Sequence, residues 1–301
     1  MIWNQLLKDP ASGKELHVNI EKNIIENIDH DRFHAQMEDQ IPIILPKNVS
    51  QDLNSSEFHD NLHSKFNYLD HYQKDAVEFD YFKPNESSIS NDEINRLHQK
   101  IVSRISKNAE IILDVGCGNG WLSKKMVNQN RKVISMDISS VNPLRALREL
   151  KHENHFALVA DVLHLPIRRN SIDCIIASEI IEHVSQPKLF ITKLLESLKP
   201  GGQLIITTPY NEKIEYHLCV HCNKPTPVNA HLHSFNELNF RKLLPTGIKS
   251  CNFSVFANKY LLKLRLSLVL RSWPFFVWEK IDSLANRLIR KPMRFMIEIE
   301  K

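Results

Sequence analysis

The chain has 301 residues, 42% apolar and 25% charged, with Lys+Arg 39 against Asp+Glu 35, 15 His, 5 Cys and only 7 Gly. That length suits one substantial domain with appendages or two small domains, and a net charge of +4 is too mild to call for nucleic acid by itself. Lys263, Arg265 and Arg271 interrupt the only long apolar candidate, residues 260–278, which excludes a membrane span. The first ten residues lack the pattern of a secretory signal, and five scattered cysteines argue for free thiols, so a cytoplasmic chain is expected.

The charge is unevenly spread. From Met1 to Glu110 acids exceed bases by seven, whereas Lys259 to Arg294 holds nine bases (Lys259, Lys263, Arg265, Arg271, Lys280, Arg287, Arg290, Lys291 and Arg294) against Glu279 and Asp282. An anionic partner is therefore expected near the carboxyl end.

In chain order, residues 1–47 read as a small unit with short apolar pieces at Leu6-Leu7, at 16–18 and at Ile41-Pro42-Ile43-Ile44-Leu45-Pro46. Residues 48–89, rich in Asn, Ser, Asp and His with scattered aromatics, read as a linker that includes a packing segment or lid around 68–76. Ser90 followed by Glu93 has the capping-box spacing for a helix through Ile94, Leu97, Ile101 and Ile105. From Ile111 onward, strand candidates at 111–115, 132–137, 155–161, 172–178 and 203–208 alternate with helical stretches, notably 187–198. That alternation predicts an α/β fold with a doubly wound parallel sheet. Two last strands are expected at 251–257 and 294–299, with an insertion over 258–292 between them.

Three of the seven glycines fall in Asp114-Val115-Gly116-Cys117-Gly118-Asn119-Gly120, between the first strand of the alternation and a helix starting near Trp121. Glycines there let a turn tighten and a ligand approach the backbone, and a helix amino terminus offers unpaired N–H groups; a tight turn without a ligand needs them equally. The next two strands end in Asp137 and Asp161, at the carboxyl edge where open parallel sheets bind ligands.

Together with Asp137-Ile138-Ser139, the run from Ala160 to Ile167, Ser171-Ile172-Asp173, Ser178-Glu179-Ile180-Ile181-Glu182-His183-Val184 and Leu198-Lys199-Pro200-Gly201-Gly202, the glycine loop makes residues 90–301 resemble class I S-adenosylmethionine-dependent methyltransferases of the type 11 group. The longer Gly-x-Gly-x-x-Gly of dinucleotide enzymes and a Walker loop are both absent. The resemblance implies a Rossmann-like seven-stranded sheet and S-adenosylmethionine as cofactor. Asp114 with the backbone of Gly116, Cys117 and Gly118 would hold the methionine part, Asp137 and Ile138 the ribose, and Asp161 with Val162 the adenine; Gly201-Gly202 would be the turn before the fifth strand.

Methyl transfer from a sulfonium is an in-line displacement, so a hydroxyl acceptor needs alignment and help in losing its proton. Glu179, Glu182 and His183 follow the fourth strand, and two carboxylates and an imidazole so close can hold a divalent ion or act as a base; a structural or cofactor-lid role is the alternative. The similar Glu-x-x-Glu-His groups of ubiquinone-pathway O-methyltransferases and small-RNA 2′-O-methyltransferases bind a metal ion, so zinc or magnesium is implied as an option. The Asp/Asn-Pro-Pro-aromatic pattern of base N-methyltransferases is absent, which favours oxygen as acceptor.

A second group, Cys219 and Cys222 with His217, His221, His231 and His233, suits tetrahedral zinc, a metal-free loop, or the donation of His231 to the Glu179 group. Residues 1–47 resemble the zinc-ribbon-like module that precedes some methyltransferases, without its cysteines. The basic insertion, with Trp273, Phe275, Phe276 and Trp278, is either a helical cover with a solvated face or a segment for an anionic membrane surface or a lipid-like acceptor. The expected function is O-methylation of a small molecule, lipid-linked intermediate or glycan by a cytoplasmic enzyme, peripheral to the membrane if the insertion meets lipid. The alternatives are an RNA 2′-O-methyltransferase and a non-catalytic cofactor-binding partner protein, with nucleic acid disfavoured by the acidic amino-terminal half.

Overall fold

The computed structural model describes residues 2–26, 33–47, 67–83, 87–218, 223, 225–264 and 269–301. The amino-terminal part supplies helix α1 (Trp3–Leu6) and strands β1 (His17–Asn19), β2 (Ile24–Glu26), β3 (Phe33–Glu38) and β4 (Ile41–Pro46), followed by helices α2 (Tyr68–Glu78) and α3 (Ser88–Arg104). The alternating stretch then gives β5 (Ile111–Val115), α4 (Trp121–Met126), β6 (Lys132–Asp137), α5 (Val141–Glu149), β7 (His155–Ala160), β8 (Ile172–Ser178), α6 (Pro187–Ser197) and β9 (Leu198–Pro209). The remainder holds the short pair β10 (Tyr216–Leu218) and β11 (Pro225–Pro227), α7 (Glu237–Arg241), β12 (Ser250–Asn258), α8 (Lys259–Lys263), α9 (Phe275–Leu288) and β13 (Pro292–Glu300).

The chain forms two compact units: residues 1–83, 110–175 and 192–200 make the first, and residues 84–109, 176–191 and 201–301 the second. In the first unit β5, β6 and β7 are parallel neighbours, Leu113 pairing with Ile134 and Ile134 with Phe156. These strands are near-continuous apolar runs because both their faces are covered: Ile112, Leu113, Val133, Ile134, Leu158 and Val159 are all inaccessible to solvent. Beyond β7 the sheet continues into the amino-terminal hairpin. β4 lies parallel to β7, with Ile43 opposite Val159 and Ile44 opposite Ala160, and β3 returns antiparallel to β4. Ile41 and Ile43 enter one core cluster with Leu144, Ala157 and Val159. Helix α1 is tied to the same unit by Lys8 N–H on the Pro166 carbonyl, Arg168 N–H on the Leu6 carbonyl and an edge contact between the rings of Trp3 and Phe156.

In the second unit β13 pairs antiparallel with both β9 and β12, and Phe240, Phe253 and Phe295 pack around one another. Helix α3 starts earlier than expected: Ser87, in extended conformation, accepts the Ser90 N–H, so Ser87 is the cap, Ser90 lies in the first turn and Ile105 sits past the last one. Gly201 and Gly202 are not a turn. They lie inside β9, which begins at Leu198, and exchange backbone hydrogen bonds with Lys301, a ladder that local sequence cannot announce. The basic insertion opens with α8, and residues 265–268 lie outside the described residues. Among the described residues no helix is long and apolar enough to cross a membrane, and Cys117, Cys174 and Cys251 are free thiols.

Candidate active site

In the first unit the glycine loop follows β5 at the carboxyl end of the parallel strands. Gly116 and Cys117 both donate their N–H groups to the Met136 carbonyl, at 2.8 and 3.0 Å, so these two amides hold the loop to β6. Gly118 has φ +50 with open space where a Cβ would stand, whereas a Cβ on Gly120 would lie 2.9 Å from that of Ala146. Gly118 therefore leaves room for a ligand, and Gly120 is required by packing on α5. Cys117 is fully buried, its thiol pushed well above its ordinary value first by burial and then by Asp137 and Asp114.

Asp114 is buried and its Oδ2 has no hydrogen-bond partner; burial, reinforced by Asp137, pushes its carboxyl up to about 8. A cationic ligand group is the missing partner such an oxygen would accept. Asp137, at the end of β6, is also raised by burial, against hydrogen bonds from Ser139 N–H at 3.0 Å and the Asn142 amide at 3.2 Å. Ile138 offers its carbonyl to Gln73 Nε2 at 2.8 Å, and Gln73 Oε1 accepts the Ser140 N–H at 3.3 Å, so α2 grips the turn after β6. Asp161 caps the 3-10 turn Val162–His164 by accepting Leu163 N–H, and its Oδ2 receives the Tyr68 hydroxyl at 2.5 Å with His164 Nδ1 at 2.6 Å. Burial and the Asp161 carboxylate together drive the Tyr68 hydroxyl far upward, so it donates as a neutral phenol.

In the second unit β8 runs into a 3-10 turn, Ile181–His183, through Glu179, whose φ of +58 is unusual for a side chain with a Cβ. That kink sends the two carboxylates to different partners. Glu179 pairs with Arg294 of β13, whose guanidinium also reaches Glu93 Oε1 at 3.1 Å. Glu182 is instead buried with Oε2 unpartnered, and burial pushes its carboxyl up to about 8. One ligand atom from each of Glu182, His183 and His231 lies within 4.8 Å of the others.

Two consecutive left-handed residues, Asn229 and Ala230, bring His231 to this group, and Leu232 and His233 donate their N–H groups to the Glu182 carbonyl at 2.7 and 3.1 Å. His231 Nδ1 lies 2.6 Å from Glu212 Oε2, and His183 Nδ1 lies 3.3 Å from the Ala230 carbonyl. With both Nδ1 atoms facing acceptors, both Nε2 atoms are lone-pair donors, the arrangement metal-binding histidines adopt. A carboxylate and two imidazoles suit zinc or another divalent transition ion better than magnesium, which prefers all-oxygen sites. Cys219 and Cys222 lie outside the described residues. Glu212, Arg294 and Glu93 are additions that no local motif signals, since each meets its partner only through the fold.

Residues 113–206 match the family of methyltransferase domains. The fold is the α/β Rossmann-like mixed sheet of class I S-adenosylmethionine-dependent methyltransferases, with a small amino-terminal hairpin. It is similar to an S-adenosylmethionine dependent methyltransferase from Mesorhizobium loti, with a TM-score of 0.50 at 15% identity over 68% of this chain and 98% of that one. It is also similar to phosphoethanolamine N-methyltransferase 2 of Haemonchus contortus, with a TM-score of 0.50 at 15% identity over 88% and 62%. By sequence, 115 residues are 32% identical to the mitochondrial ubiquinone biosynthesis O-methyltransferase of Rattus norvegicus, covering 35% of this chain and 32% of that protein. The ubiquinone biosynthesis O-methyltransferase of Chelativorans sp. (strain BNC1) is 36% identical over 101 residues, 32% of this chain and 39% of the other. The matched stretch thus spans about a third of these relatives' length.

Proposed function

We propose that this chain is a class I S-adenosylmethionine-dependent methyltransferase that methylates an oxygen of a small or lipid-linked acceptor. Peripheral contact with a lipid surface through residues 258–292 is part of the same reading. The cofactor, when bound, supplies an electrophilic methyl on a sulfonium. Asp114 would face its cationic methionine end, Gly118 would leave room for it, and Asp137 would accept the ribose hydroxyls. Asp161 would accept the adenine amine once Tyr68 yields its oxygen.

The observation that carries oxygen methylation is the buried, half-unsatisfied Glu182 carboxylate beside His183 and His231. A carboxyl raised to about 8 by burial is matched to taking a proton from a hydroxyl near neutral pH. Alternatively the same three residues would hold a divalent ion; Glu182 would then be a ligand and not the base, and the ion would lower the pKa of an acceptor hydroxyl. Glu179, neutralised by Arg294, would position the strand end and stand apart from proton transfer.

The test incubates the purified chain and methyl-labelled cofactor with fractionated cell extract, with and without chelator. Chelator-sensitive label in lipid or small-molecule fractions is the expected result. Label in RNA would replace this reading with RNA 2′-O-methylation, and no label despite measured S-adenosylhomocysteine binding would reduce the chain to a cofactor-binding partner protein.

A further inference from the structure

Helix α9 carries apolar side chains on its solvent face as well as on its packed one. Its buried positions follow the helical repeat at Trp278, Asp282 and Asn286, and two of the three are polar. Asp282 accepts the backbone N–H of Ala257 at 3.0 Å and of Asn258 at 2.7 Å, and Asn286 Oδ1 accepts the Asn258 amide at 2.8 Å. Phe275, Val277, Ile281 and Ala285 are half-buried, but the opposite stripe is apolar too: Phe276 is 60% exposed, Leu284 57% and Leu288 76%, with Trp273 (48%) just before the helix and Ile289 (54%) just after it. A water-facing helix keeps its outer stripe polar, and exposed apolar residues at this density mark an interaction face.

Charge identifies the partner. Lys280 and Arg287 share the outward stripe, and Lys259, Lys263 and Lys291 are exposed too. The two acids of the segment do not offset them. Glu279 is bound by Lys100 and Arg104, and Asp282 is buried. The helix is also clamped from beneath by α3, where Arg96 donates to the Leu270 carbonyl at 2.6 Å and stands 5.6 Å from the centre of the Trp278 ring. A fixed helix with an apolar stripe and uncompensated cations matches a bilayer interface rich in anionic lipid. A second copy of the chain would bring like charges face to face, and a soluble polyanion would leave the apolar residues in water.

We infer that α9 lies in the surface of an anionic lipid bilayer, with Phe276, Leu284 and Leu288 in the acyl boundary and Lys280 and Arg287 at the level of the phosphates. This gives the membrane contact proposed above its face and its lipid, and it rests on that part of the reading alone.

Co-sedimentation of the full chain with phosphatidylcholine vesicles, with or without phosphatidylglycerol, tests it. Binding at least about tenfold tighter to the anionic vesicles is expected, with a blue shift of tryptophan emission that Trp273→Phe diminishes. Leu284→Asp with Leu288→Asp, at exposed positions, abolishes binding, and Lys280→Glu with Arg287→Glu weakens it by about tenfold or more. Equal binding to both vesicles, or binding unchanged in the aspartate variant, overturns the inference. So does a concentration-dependent dimer that the aspartate variant dissociates without any vesicle binding. S-adenosylhomocysteine affinity, measured by calorimetry on the same proteins, separates the two claims: retention in the variants certifies their fold, and absence in the parent chain strikes the methyltransferase reading while leaving the membrane result standing.

Discussion

His231 holds its Nδ1 2.6 Å from Glu212 Oε2, and this pairing fixes Nε2 as the basic nitrogen of the ring. Removing the carboxylate frees the imidazole to take either tautomer and to rotate. Glu212→Ala is therefore expected to weaken zinc binding by about 10–100-fold while the fold is retained, as read by competition against a chromophoric chelator. Unchanged affinity would detach His231 from the metal group.

Asp114 ties stability to pH. Its carboxyl titrates near 8 in the folded chain against an ordinary value of 3.8, so between those limits the folded state keeps a proton that the unfolded state has lost. The sign follows: the stability present below about pH 4 is lost as pH rises through about 8, by several kcal/mol at most. Asp114→Asn removes that dependence. Thermal melts of the ligand-free protein should show the variant gaining over the parent as pH rises from 5 to about 8, with weaker cofactor binding throughout.

Tyr68 occupies the Asp161 oxygen that the proposed adenine contact would need. Tyr68→Phe should lower the melting temperature of the ligand-free chain, since a charge-assisted buried hydrogen bond contributes about 1.5–3 kcal/mol, and should tighten S-adenosylhomocysteine binding. Calorimetry showing weaker binding in the variant would mean that Tyr68 supports the ligand.

Ile41 is 1% exposed in the cluster it shares with Leu144 and Val159. Ile41→Ala should cost about 2–5 kcal/mol in urea unfolding, as a core deletion does. A loss under about 0.5 kcal/mol, the scale of a surface change, would show that the hairpin contributes little to the first unit.

What could be read from the chain was set by how local the cause is. β5, β6 and β8 are legible to the residue because strands buried on both faces need near-continuous apolar runs, and the sequence supplies them in Ile111–Val115, Lys132–Asp137 and Ile172–Ser178 with only Asp114, Ser135 and Asp173 inside them. The start of α3 was missed by three residues because Ser87, Ser88 and Ser90 are all competent caps, and only the extended backbone of Ser87 decides between them. Spacing made Glu179, Glu182 and His183 look like one group. The left-handed backbone at Glu179 and an arginine from the far end of the chain separate the first from the other two. His231 joins them through two left-handed residues in a loop; Asn229 is a type that favours that conformation, but Ala230 gives no sign of it.

The pairing of Ile44 with Ala160 also orders events during synthesis. The β3–β4 hairpin leaves the ribosome with one side of β4 open, and its partner strand is not made until on the order of ten seconds later at about 5–20 residues per second. Through that interval Ile41, Ile43 and Ile44 are an unprotected edge on a nascent chain, the kind of surface that pairs with other chains. Slow translation before β7 should therefore lower the soluble yield of the full-length protein, and a chain from which residues 1–47 are removed should leave β7 as the exposed edge instead.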